Sequence, residues 1–78
     1  MMHEEAATRL LRRIIKTYRG LKEILNKYGV SNTGELLDGI RSRKFTEHPT
    51  YEDYLEAKSY EFELEKILKK LNSTIAEM

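Results

Sequence analysis

Ala7, Ile14, Leu21 and Tyr28 recur every seven residues, and Ala57, Leu64, Leu71 and Met78 repeat the spacing near the other end of the chain. Seven residues are two turns of α-helix, so each set shares one helix face, and no segment shows the period-two alternation of a strand. Leu10, Leu11, Tyr18, Ile24 and Leu25 fill in the first stripe, and Tyr54, Tyr60, Ile67, Leu68 and Ile75 the second. Each apolar face spans about half a circumference, wider than the seam of a strict coiled coil. The chain is therefore expected to be all-α.

Local signals divide it into three helices, near residues 4–28, 33–43 and 50–76. Gly29 directly follows Tyr28, where a left-handed C-terminal cap is expected. Gly20, inside the first helix, costs about 1 kcal/mol relative to alanine; it marks a kink or a close helix contact or, the favoured reading, is a tolerated interior glycine. Asn32 with Glu35 has capping-box spacing, and Leu36, Leu37 and Ile40 give the short second helix an apolar face. That helix fades into Arg41-Ser42-Arg43-Lys44, after which Phe45 is expected to fold back on the core. Pro49 rules out a continuous helix through the second connection. Thr50 with Asp53 reads as a second capping box, with Glu52 and Asp53 suited to the positive helix end.

The outer helices, at about 25 residues each, are roughly 38 Å long. Matched lengths joined by a short helix predict an antiparallel hairpin with the small helix near its closed end. A chain of 9.2 kDa exposes about 4,900 Å² when compact, and an elongated hairpin exposes more. Below ~80 residues one core rarely suffices, and chains of this size lean on disulfides, metals or self-association. The sequence has no cysteine, which removes disulfides and thiolate zinc sites. A dimer that completes a helical bundle is the expected support.

Tyr51, Leu55 and Phe62 sharpen that expectation. At 100° per residue they point about 140–180° away from Leu64, so they cannot face the first helix. Either the short helix covers them within one chain, or a second subunit or partner does. They are the candidate apolar interaction face.

The second candidate surface is cationic. Arg9, Arg12, Lys16 and Arg19 cluster opposite the first stripe with Arg13 beside them, and Glu23 is the sole acid between Arg9 and Lys27. The hairpin would add Lys66, Lys69 and Lys70 at the same end and leave Glu47, Glu52, Asp53 and Glu56 at the other. A net charge of +1 then conceals a dipole. These residues are candidate contacts for an anionic partner, with phosphates of nucleic acid as one class. No recognition-helix, RNA-binding or zinc-finger spacing accompanies them.

Glu47-His48 with Glu52, Asp53 and Glu56 is the one constellation resembling a metal or acid–base site. One imidazole among carboxylates is a poor transition-metal set. Gly-rich phosphate loops and nucleophile–base arrangements are missing, so no catalytic residue, cofactor or metal is assigned and the chain is not expected to be an enzyme. The tyrosines near the stripes read as core packing with their hydroxyls at the rim. No segment approaches the ~20 apolar residues of a membrane span, and no apolar run follows a basic start as in a leader. The expectation is a soluble cytoplasmic protein without membrane contact. Its Lys- and Glu-rich, Cys- and Gln-free composition matches the bias of thermophile proteins. The function expected is a homodimeric protein–protein interaction or regulatory module; the alternative is a small nucleic-acid-binding protein using the basic face.

Overall fold

The computed structural model describes the backbone of residues 2–76 and the side chains of residues 5–76. Met78, assigned above to the second stripe, lies outside the described residues. Three helices follow in order, α1 (Met2–Tyr28), α2 (Thr33–Arg41) and α3 (Glu47–Ala76), with no strand among the described residues. Helices α1 and α3 form the antiparallel hairpin, and α2 packs mainly on α3 at the closed end. The molecule measures 51 × 17 × 16 Å.

The turns form largely where the local chemistry dictates. Gly29 ends α1 at φ +66, and the Val30 amide donates to the Leu25 carbonyl at 3.1 Å, a pairing that only a left-handed cap permits. Asn32 Oδ1 accepts from the Glu35 amide at 2.9 Å. The returning Glu35 carboxylate takes the Ser31 amide at 2.7 Å, one residue before the cap. Helix α2 ends at Arg41, two residues short of the expected 43, because Arg43 turns left-handed at φ 65. Phe45 does fold back: its amide donates to the Gly39 carbonyl at 3.1 Å, and its ring lies edge-on to Tyr28 with centroids 5.3 Å apart. Gly39 is required there, since a Cβ would come within 2.4 Å of the Phe45 ring.

The start of α3 corrects the expected capping box. His48 is extended (φ −113, ψ 133), as residues before proline tend to be, and the regular helix begins right after it. Thr50 therefore sits inside the first turn. It is 2% exposed, and Asp53 is taken up by side chains of α1, so neither Thr50 nor Asp53 acts as a cap.

Two apolar clusters hold the hairpin. Leu21, Leu25 and Ala57 pack near the closed end, with Ile24, Val30, Tyr60 and Leu64 around them. Leu10, Ile67 and Leu71 pack toward the open end with Ala7 and Ile14. Gly20 is a point of close approach rather than a merely tolerated glycine, for a Cβ there would lie 3.0 Å from the Tyr60 ring. The apolar stripes are only partly buried. Leu11, Tyr18, Leu68 and Ile75, assigned above to the hairpin contact, are about half exposed. A helix with a single long neighbour buries a narrower arc than its apolar face spans.

Candidate interaction surfaces

The closed end is tied by polar side chains. Asp53 accepts from the Tyr28 hydroxyl and from Lys27 Nζ at 3.0 Å. The accepted hydrogen bonds, Tyr28 first and Lys27 second, hold the Asp53 carboxyl below the usual carboxylate range. Burial, reinforced by Asp53, pushes the Tyr28 phenol up. On α2, the Thr33 hydroxyl donates to Glu61 at 2.9 Å and fastens the short helix to α3.

The acidic residues near His48 do not converge. His48 Nδ1 lies 2.6 Å from Glu52 Oε1 on an exposed surface. Glu56 accepts instead from the Tyr60 hydroxyl at 3.0 Å, which raises the Tyr60 pKa, and Asp53 is engaged with Tyr28. Among the described residues no three His, Cys, Asp or Glu side chains stand close enough to hold one metal ion. No helix is long and apolar enough to cross a membrane, again among the described residues.

The cationic residues remain largely without acids. Arg13 pairs with Glu63 at 3.0 Å, whereas Arg9, Arg12, Lys16 and Arg19 form no ion pair among the described residues. The hairpin does bring the basic end of α1 to that of α3: Arg9, Arg13 and Lys70 line one shallow groove together with Ala6, Leu10 and Thr74. Lys66 lies over the Phe62 ring at 4.7 Å.

Tyr51, Leu55 and Phe62 are exposed by 41, 48 and 60%. Helix α2 does not cover them. It reaches α3 through Thr33 and Glu61, and Glu61 points about 80–120° away from the three, by the helical step. Coverage by the short helix within one chain is therefore ruled out. Sequence reasoning missed a second bare face, made by Leu11, Ile15, Tyr18 and Leu68. Ile14, Ile15, Tyr18, Arg19 and Lys22 surround an apolar hollow there. Leu11, Ile15 and Tyr18 follow i, i+4, i+7 spacing, a signal that could have separated this edge of the stripe from the buried one.

The fold and these surfaces define an all-α helical hairpin with a short third helix, bearing bare apolar and cationic faces. The chain belongs to the family described as the Uncharacterized protein MJ0235 family, whose profile matches residues 2–77. No curated protein and no solved structure matches it.

Proposed function

We propose that this chain is a small non-enzymatic helical module for protein–protein interaction or regulation, and that it works as a homodimer. The carrying observation is the apolar surface that one copy leaves bare after α2 has docked: Tyr51, Leu55 and Phe62 on the back of α3, and Leu11, Ile15, Tyr18 and Leu68 beside the hairpin seam. Exposed apolar clusters of this kind mark contact sites. The accessible surface supports the same reading. It is 5917 Å², about 1,000 Å² above the compact value for this mass, and a standard interface buries about 800 Å² per partner. The solution mass at micromolar concentration is expected to be that of a dimer, and a well-folded monomer would overturn the homodimer.

One observation favours nucleic-acid binding as a second reading. Arg9, Arg12, Lys16 and Arg19 form a ladder along α1 with no ion-paired acid among the described residues, and such a ladder suits phosphates. On this reading affinity falls steeply with salt, because each neutralised phosphate releases counterions. Replacing Arg9, Arg12 and Lys16 together by Glu abolishes binding and leaves the circular dichroism unchanged. Absence of binding to both duplex and single-stranded nucleic acid at low salt would remove this reading.

A further inference from the structure

The two bare apolar faces differ in position, and the hairpin geometry says which of them a second copy fits. At 100° per residue, Leu11, Ile15 and Tyr18 lie about 65–125° round α1 from the mean direction of its buried residues. Leu68 and Glu65 lie about 45° and 105° round α3 in the same rotational sense. In an antiparallel pair, equal senses of rotation lead to the same side. The observed contacts agree: Arg13 and Glu63, both rotated the other way, meet at 3.0 Å, while Glu61, rotated the same way as Leu68, holds α2. Leu11, Ile15, Tyr18 and Leu68 therefore share α2's side of the hairpin. They form a trough whose closed end α2 fills and whose open end is empty. Leu55 and Phe62 lie on the back of α3, outside it, and Tyr51, like Lys69, lies about 145° round α3 at its outer edge.

Helix α2 has 9 residues and covers about 13 Å, leaving roughly 25 Å of trough. A second copy has to approach this face about a two-fold axis lying in the interface. An axis along the hairpin would set one α2 against the other and hold the open halves apart. An axis across the hairpin overlaps the two open halves and leaves the α2 helices at opposite outer ends. In that arrangement α1 runs antiparallel over the partner's α1, and α3 over the partner's α3.

The register is self-matching. Gly20 faces Tyr60 and Lys27 pairs with Asp53, so residues at one level across the hairpin have numbers adding to about 80. The midpoint of Leu11 and Ile15 is then level with the midpoint of Glu65 and Lys69. A single axis at that level sets Leu11 against the partner's Ile15 and, at the same time, Glu65 against the partner's Lys69. Each contact occurs twice by symmetry. Arg9, Arg12, Lys16 and Arg19 stay on the outer edge or turn away, where water screens them. We infer that the open half of the trough is the self-association surface, with two copies packed antiparallel through Leu11, Ile15, Tyr18 and Leu68 and Glu65 paired to the partner's Lys69. This rests on the homodimer reading above and assigns the face that makes the dimer.

The test is sedimentation equilibrium of wild type and four variants, with circular dichroism to confirm folding. Wild type is expected to be a dimer and Ile15→Asp a folded monomer, since Ile15 is 58% exposed and outside the core. Phe62→Asp remains a dimer. Glu65→Lys raises the dimer Kd about tenfold by setting two like-charged pairs across the axis, and Glu65→Lys with Lys69→Glu restores it to within about threefold. That rescue decides the matter even if Ile15→Asp fails to fold. A monomeric wild type overturns both the homodimer and this interface. A wild-type dimer that Phe62→Asp dissociates, that Ile15→Asp leaves intact, or that the charge swap does not rescue overturns this interface alone.

Discussion

Leu36→Ala is expected to cost about 3 kcal/mol and to lower the melting temperature by about 15 °C. Leu36 is 0% exposed on a helix of 9 residues, and it is the apolar side chain of α2 that solvent does not reach at all. Truncation loses its transfer free energy and leaves a cavity beneath α2. A domain of this size has about 4–12 kcal/mol of net stability, so the loss is a large share of the total. Thermal unfolding of Leu36→Ala beside Leu55→Ala checks the assignment. The second variant, at a half-exposed position, is expected to change the monomer's stability by less than about 0.5 kcal/mol. Equal losses in the two would contradict the packing described for α2.

Asp53→Ala is expected to destabilise the chain by about 2 kcal/mol and to flatten its acid limb. The substitution removes the acceptor of two hydrogen bonds and leaves the Tyr28 hydroxyl proton without its acceptor. The sign of the pH effect follows from linkage. The folded Asp53 pKa is lowered, so its contribution is complete above the unfolded value near 4 and is lost as pH falls through the folded value. Tyr28 acts at the other extreme. Its folded pKa is raised, so its contribution is complete below the unfolded value near 10 and is lost as pH rises through the folded value. Urea unfolding between pH 2 and 7 should show wild-type stability falling more steeply below about pH 4 than that of Asp53→Ala. Parallel curves would show that Asp53 is not the coupled group.

Features set by neighbours in sequence were legible before the fold was known. Gly29 and Asn32 act within a few residues of themselves, and their residue types alone imply a left-handed cap and an acceptor for a free helix amide. The helical period was equally plain, since it needs only the spacing of Ala7, Ile14, Leu21 and Tyr28. The orientation of the stripe was not. Leu10 and Leu11 are chemically alike and 100° apart, yet Leu10 is buried and Leu11 half exposed. Which edge of a broad stripe turns inward depends on where the other helix lies. Thr17 and Thr50, both buried, carried no apolar signal, and Thr50 was displaced from its expected capping role because the regular helix starts at Pro49, ahead of it. For the basic ladder, its members and its extension to Lys70 were legible, while the single pairing of Arg13 with Glu63 needed the register of the hairpin.

The uneven distribution of ties along the hairpin sets an order of assembly. At the closed end, Tyr28 and Asp53 are 25 residues apart in sequence and Thr33 and Glu61 are 28 apart, whereas Arg13 and Glu63 near the open end are separated by 50. Joining distant segments first would sacrifice more chain entropy than joining the nearer ones, so the chain is expected to close from the α2 end outward. In the native state it opens in the reverse direction, and amide protection should fall off toward the free ends of α1 and α3. A second molecule seated on the open half would grip the part that a lone chain holds least firmly. Completing the fold and recognising the partner would then be one thermodynamic event, with a midpoint that moves with protein concentration.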